Sequence, residues 1–485
     1  MELAIFSEDG ISGWSQAGSG IQALPGKGVD NSMAVGTLTW AHPWQHLGTH
    51  LDTRCFDSTD VGKKFELRAR FRLVDNLGNN ATCNPSKYLW EGGCPRITFK
   101  FEGHNNPNKE SLWTQYHGDR AVAVPGYQPH LLNLLQGVFT MTQEYVDANR
   151  VYVYLEANIQ DRVILDDVDI IPFTYNSCDD NLVKNGDFST DGTYWYTFGS
   201  PNLELVPGIG EEGDLALRVT QRTSPSWSGR NYMDVDCLNI GDRVAVKARF
   251  KLESQADGST FECNPYEPYA WDSPTRCSEL FMRSSKKGFN VEYRSIGKTV
   301  YSIPGDGWMA IAGFYTVREV NFKPDDFFFY FDGARYKDLT IDNVSFERMP
   351  MDCTNLISNP SFEDGTSSFW FQSSRENSKL DLVGGTDSNY ALRVYERAHM
   401  AEGVWQDLDP RCFVPGQEFT IAGKFRLLNG TANALCDPAI TWWDNKQCQS
   451  VHIQAWGCDN PADLWMQFWD QGGGGLNSND MSEFR

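Results

Sequence analysis

Trp227 stands five residues after Arg222, and Trp405 eight after Arg397, with small or polar neighbours such as Ser226, Ser228 and Gly229 around the first. Sugars have apolar ring faces and polar edges. Holding one takes an aromatic plane for stacking and a hydrogen-bonding side chain beside it. Trp44 occupies the matching place earlier in the chain, where Trp40 replaces the arginine. A second aromatic set lies between cysteines: Tyr88 and Trp90, then Tyr266, Tyr269 and Trp271, then Trp442 and Trp443. A loop closed by a disulfide presents its rings at a low entropic cost. Both sets have a plainer reading, as strand-end packing and as a cover over the disulfide. Trp14, Trp195 and Trp370 recur near a fixed starting point and read as core.

Carboxylates also recur. Asp166 and Asp342 fall in matching terminal strands, and Asp187 and Glu363 lie beside the opening phenylalanines. Brought together, such oxygens could ligate a structural Ca²⁺, which takes six to eight oxygen ligands. Singly, they suit strand-end turns in which Asp accepts backbone hydrogen bonds. His42, His46 and His50 are spaced by four, but they lie in a strand-and-loop region and have no counterparts later in the chain, so a metal there is not expected. No GxSxG, P-loop or HExxH motif occurs, and no carboxylate pair stands outside the repeated pattern. The expectation is a chain that binds and does not catalyse.

A repeat organises these residues. Asn181-Leu182-Val183-Lys184-Asn185-Gly186-Asp187-Phe188 returns as Asn355-Leu356-Ile357-Ser358-Asn359-Pro360-Ser361-Phe362. Ala216-Leu217-Arg218-Val219 returns as Ala391-Leu392-Arg393-Val394, and Cys263-Asn264-Pro265 as Cys436-Asp437-Pro438. The period is about 175 residues. Phe6, Trp14, Trp44, Cys55, Phe71-Arg72-Leu73 and Cys83-Asn84-Pro85 follow the same order more faintly. Segments such as Phe65–Phe71 and Val244–Phe250 alternate apolar and polar residues, which marks strands with one buried face. Short strands between Gly, Pro, Asn and Asp clusters predict an all-β protein of three tandem β-sandwich or jelly-roll domains, at 1–173, 174–350 and 351–485.

The cysteines follow the repeat. Cys178 and Cys237 lie 59 residues apart, as do Cys353 and Cys412. Each set of four allows three pairings. The favoured ones are Cys178–Cys237 and Cys353–Cys412, with Cys263–Cys277, Cys436–Cys448 and Cys83–Cys94 closing short loops. Without a CxxC pair, zinc is the weaker reading. Regular disulfides imply an oxidising compartment, hence a secreted or cell-wall protein. The opening MELAIFSEDG is no signal peptide. The cysteine expected before Cys55 would precede residue 1, so the sequence is expected to begin inside the first domain and to stop before the last strands of the third. A net charge of −22 disfavours nucleic acid and anionic membrane as partners, and no apolar run of 18 residues is present to span a bilayer.

Taken in order, Asn-Leu-Val-x-Asn-Gly-x-Phe, the following Trp, Ala-Leu-Arg-Val, the Arg and Trp, the alternating strand, Gly137-Val138-Phe139-Thr140 and Leu165-Asp166-Asp167-Val168 resemble the CenC-like carbohydrate-binding module. The resemblance implies a galactose-binding-like jelly roll, binding to β-glucan, xylan or a related polysaccharide, frequent attachment to glycoside hydrolases, and often one structural Ca²⁺. The Cys-x-Pro…Cys insertion departs from that pattern. Three function classes follow: a polysaccharide-binding protein or the binding arm of a larger one, the accessory part of a glycoside hydrolase, and an extracellular structural or adhesive protein without sugar binding. For the first, the residues expected to carry binding are Trp44, Arg222, Trp227, Trp271, Arg397, Trp405 and Trp443.

Overall fold

The computed structural model describes the chain apart from residues 1–13, 17–19, 25–26, 28–33, 38–46, 52–55, 86, 88, 103–110, 114–119, 124, 126, 149, 159–160, 175–179, 190–191, 210–213, 234–236, 266–272, 287, 301–306, 322–325, 373–377, 386–387, 398–401, 430–431, 435–450, 456–463, 469–481 and 485. It divides into two compact units, Met1–Pro350 and Met351–Arg485.

The first unit opens with β1 (Trp14–Gln16), β2 (Ile21–Leu24), β3 (Ala34–Thr37), β4 (Leu47–Leu51), β5 (Lys64–Val74), β6 (Arg96–Glu102), β7 (Ser111–Trp113), β8 (Arg120–Ala123), β9 (Asn133–Thr140), β10 (Arg150–Glu156) and β11 (Arg162–Pro172). They are joined in the order β1-β4-β10-β6-β8-β9-β5-β11-β3-β2, with β7 paired to β6. There follow β12 (Tyr196–Phe198), β13 (Asn202–Pro207), β14 (Leu215–Thr220), β15 (Ser228–Asn231), β16 (Arg243–Ser254), β17 (Glu279–Ser285), β18 (Glu292–Val300), β19 (Met309–Thr316), β20 (Asp326–Asp332) and β21 (Lys337–Arg348). Their order, β12-β15-β20-β17-β18-β19-β16-β21-β14-β13, repeats the first path strand for strand. Both are antiparallel sandwiches. β18 bends from one layer to the other, pairing β17 through its first half and β19 through Lys298–Val300. The long strands β5 and β16 alternate as the sequence predicts, and Phe71, Leu73, Val246, Phe250 and Leu252 point into the cores. Each fully buried Phe or Leu contributes about 2 kcal/mol of hydrophobic stabilisation.

The repeat is also a repeat of backbone form. β11 and β21 each carry a bulge against the long strand beside them, and there Asp167 and Asn343 take φ of 52° and 48°. Asn185, Phe188, Tyr194 and Gln221 sit at positive φ, as do Asn359, Phe362, Phe369 and Glu396. Such conformations are uncommon outside glycine, so their recurrence at one spacing marks one local fold. The tryptophans confirm it. Trp195 Nε1 donates to the Asn185 carbonyl at 2.9 Å and Trp370 Nε1 to that of Asn359 at 3.1 Å. Trp195 is enclosed in the second core beside Phe188, and Trp370 is half-buried beside Phe362.

The two sandwiches of the first unit touch. Tyr194 takes the contact: its backbone N–H donates to Gln136 Oε1 at 2.7 Å and its hydroxyl accepts from Arg68 at 3.1 Å. Gln136 and Arg68 both hydrogen-bond the carboxylate of Glu66, which is buried. Phe173 meets the Tyr194 ring edge-on, and Lys184 lies over both rings.

In the second unit, β22 (Phe371–Gln372) pairs β25 (Val404–Trp405), and β23 (Lys379–Gly384) pairs β24 (Tyr390–Tyr395), the same opening partners as β12 with β15 and β13 with β14. Beyond them β26 (Gly423–Phe425) pairs β31 (Ser482–Phe484), β27 (Leu428–Asn429) pairs β28 (Ala432–Asn433), and β29 (Val451–Ala455) pairs β30 (Leu464–Phe468). Among the described residues of this unit every sheet has two strands.

Disulfides join Cys83–Cys94, Cys263–Cys277 and Cys353–Cys412, with Cα separations of 4.8, 4.9 and 5.4 Å, within the usual range. Cys237 is also disulfide-bonded; Cys178, its expected partner, lies outside the described residues, as do Cys436 and Cys448.

Candidate functional site

Successive side chains of a strand point to opposite sides, so a run of five aromatics cannot all enter one core. Asp326–Asp332 is such a run. Phe327, Phe329 and Phe331 enter the second core. Phe328 and Tyr330 therefore stand on the other face of β20, 6.2 Å apart between ring centres, and they are nearly enclosed. The neighbouring strands enclose them. Phe198 of β12 packs on Tyr330 at 4.5 Å and on Phe328 at 5.4 Å. Phe281 of β17 lies 6.0 Å from Tyr330, and Tyr232, just past β15, lies 6.4 Å from Phe328. Two guanidinium groups cover Phe328, Arg230 at 4.9 Å and Arg283 at 5.4 Å. Tyr293 of β18 extends the surface at 57% exposure, and its hydroxyl accepts from Arg283 Nε at 3.2 Å. Phe198, Arg230, Tyr232, Phe281 and Arg283 are half-buried. The result is an aromatic and cationic face on a floor of Phe328 and Tyr330, directed away from the core. At one end Arg276 pairs with Glu279 and Asp332. The Cys263–Cys277 staple ends two residues before Glu279.

The first sandwich repeats this face. Tyr152 and Tyr154 of β10 stack at 5.8 Å, His50 of β4 lies 5.0 Å from Tyr152, and Arg96 of β6 pairs with Glu156.

The residues singled out from sequence are placed unequally. Trp227 is half-buried at the β12–β15 end of the face, beside the Phe198–Ser228 pair. Its indole lies against Gly199, at φ 87°, where any Cβ would overlap the ring. Arg222 has no part in that surface. It is fully buried, and its guanidinium donates to the carbonyls of Trp227, Pro225, Gly333, Ala334 and Lys337. Burial lowers its pKa to about 10, against the opposing pull of Asp332 and Asp338. The expectation that Arg222 hydrogen-bonds a ligand is corrected: its donors are spent on the backbone that seats Trp227. Arg397 lies at the surface of the second unit. Trp405 is half-buried, 5.3 Å from Phe371, and its Nε1 donates to the Gln372 carbonyl at 2.9 Å. The strand ladders set Trp405 opposite Phe371 and Arg230 opposite Tyr196. Because Trp370-Phe371 matches Trp195-Tyr196, Trp405 is the counterpart of Arg230 and not of Trp227. The spacing from arginine to tryptophan, five against eight residues, hides that shift in the sequence. Trp44, Trp271 and Trp443 lie outside the described residues.

Of the expected calcium ligands, Asp342 is fully buried and accepts from Ile209 N at 2.8 Å and Asn343 N at 2.6 Å. Gly208 leaves room for it, since a Cβ there would sit 2.8 Å from Asp342 Oδ2. Burial raises its pKa to about 6, against the lowering effect of the two backbone hydrogen bonds and with a smaller push upward from Asp214 and Asp187. Asp166 is buried at the equivalent bulge. Asp187 is exposed and accepts from Ser189 N, and Glu363 is exposed and accepts from Asn389. Among the described residues no three His, Cys, Asp or Glu side chains converge as a ligand set, and no helix is long and apolar enough to cross a membrane.

No family model matches the chain. It is 24% identical over 273 residues to endo-1,4-beta-xylanase A of Thermoanaerobacterium saccharolyticum, a match covering 56% of this chain and 21% of that protein. The chain thus spans about a fifth of the length of that curated relative. Among solved structures it is similar to the tandem CBM22-1–CBM22-2 domain of Xyn10C from Paenibacillus barcinonensis, at 14% identity, 72% of this chain, 97% of that one and a TM-score of 0.26. It is also similar to a xylan-binding domain from CBM 22, at 14% identity, 34% of this chain, 92% of that one and a TM-score of 0.25. At such scores these likenesses add nothing to the fold already described.

Proposed function

We propose that the chain is a non-catalytic polysaccharide-binding protein built from three copies of a CenC-like, galactose-binding-like module, and that it holds β-glucan or xylan-like chains by aromatic stacking. One observation carries this reading: the face of β12, β15, β20, β17 and β18 that points away from the core is lined by Phe198, Tyr232, Phe281 and Tyr293 around Arg230 and Arg283. Rings with guanidinium groups beside them match a sugar's apolar faces and hydroxyl edges. Trp227 at the rim would lengthen that platform. The partial match to a xylanase makes xylan the first polymer to test and favours, as a second reading, an accessory role beside a glycoside hydrolase.

A third copy is supported by the shared positive-φ positions and by the Trp370–Asn359 hydrogen bond. Several modules on one chain would gain avidity along a repeating polymer. A Ca²⁺ held by Asp342 and its acidic neighbours would serve the fold, by neutralising a buried charge. The disulfides support a secreted or cell-wall location.

Electrophoresis of the purified chain through gels containing xylan or β-glucan tests the reading. Retardation that is lost on adding soluble oligosaccharide is expected. Unaltered mobility in every polysaccharide gel overturns it and leaves an adhesive or structural protein.

A further inference from the structure

Arg230 is an unusual cation for this chain. Acidic residues outnumber Lys and Arg by 64 to 42, and two other cations near the face have partners: Arg276 with Glu279 and Asp332, Arg283 with the Tyr293 hydroxyl. The Arg230 guanidinium instead lies over Phe328, 4.9 Å from the ring centre, with its Nε buried and without a hydrogen-bond partner. Among the described residues it meets no carboxylate. A guanidinium stacked on a ring is held in orientation and keeps its in-plane N–H groups for a second partner. Those groups match a carboxylate in fork geometry better than they match a hydroxyl.

We infer that Arg230 reads a carboxylate on the glycan, so that the second sandwich selects polysaccharides bearing uronic acids over their neutral forms. The inference rests on the polysaccharide reading above and narrows its substrate class. The geometry gives the carboxylate a place as well as a charge. Arg230 lies opposite Tyr330 on the β15–β20 ladder, and Tyr330 in turn lies opposite Phe281 of β17, so Arg230 and Phe281 stand on one face, two strands apart. The second unit has Trp405 at the position that corresponds to Arg230, an indole where the second sandwich has a cation. On the first sandwich's ladder, Ser15 stands opposite Gly48.

The test uses the full chain and four ligands: a glucuronoxylan, the same polymer with its carboxyls reduced to alcohols, a neutral linear xylan, and polygalacturonate. Affinity is measured by calorimetry at low and at high salt. The expected result is about tenfold tighter binding to glucuronoxylan than to its reduced form, a ratio that shrinks as salt rises. Arg230→Gln should bring the ratio to about one, and Arg230→Lys, which keeps the charge and loses the fork, should leave an intermediate ratio. Melting curves show whether either variant still folds. Polygalacturonate distinguishes a uronate in the main chain from one on a branch: binding there assigns the main-chain source, and binding to glucuronoxylan alone assigns the branch. Equal affinity for the acidic and reduced polymers overturns this inference and leaves polysaccharide binding standing. A ratio unchanged in Arg230→Gln overturns the assignment to Arg230. Binding to none of the four overturns both readings.

Discussion

Arg222 Nε donates to the Trp227 carbonyl at 2.7 Å, and the rest of its guanidinium is spent on four further carbonyls. A charge in that position fixes the turn that seats Trp227 and cannot itself meet a ligand. Arg222→Ala leaves those acceptors buried and unpaired. It should cost on the order of 4 kcal/mol, seen as a lower urea midpoint for the second sandwich. Unchanged stability with lost ligand affinity would return Arg222 to the binding surface.

Asp342 makes stability depend on pH, and the proposed Ca²⁺ would add a dependence on calcium. Its folded pKa of about 6 lies above the unfolded value near 3.8, so in metal-free protein its contribution is fully present below pH 3.8 and is lost as pH rises toward 6. The loss amounts to about 3 kcal/mol at most. Asp342→Asn in EDTA should flatten that part of the pH profile. At pH 7, Ca²⁺ should raise the melting temperature of the wild type and not of Asp342→Asn. A wild-type melt indifferent to both Ca²⁺ and EDTA would remove the metal from the account.

Tyr194 couples the first two sandwiches through Gln136, Arg68 and the buried Glu66. Tyr194→Ala should separate their unfolding into two calorimetric transitions where the wild type gives one. A single transition in the variant would show that the pair is coupled by other contacts.

The sandwich class, the strand alternation in β5 and β16, the core tryptophan Trp195 and the short disulfide loops were all legible in the sequence, because each follows from local periodicity or spacing. The outward aromatic face was not. Its signal is the run Phe327-Phe328-Phe329-Tyr330-Phe331, where alternation requires rings on both sides of one strand, and the run contains no tryptophan. Arg222 recurs beside a tryptophan, a pattern that a ligand contact and a buried backbone hub share, and only the hydrogen bonds distinguish the two. The correspondence of Trp405 with Arg230 depends on strand register across a turn of changed length, which no count along the chain supplies.

Calorimetric titration of xylo-oligosaccharide into the wild-type chain and into a Phe281→Ala/Tyr293→Ala variant tests the central claim most directly. Both substitutions lie on the outward face of the second sandwich and spare its core. The account predicts a loss of at least tenfold in affinity, or of one binding site per chain, with the melting temperature little changed. Wild-type binding undiminished in the folded variant would contradict it and place the ligand elsewhere.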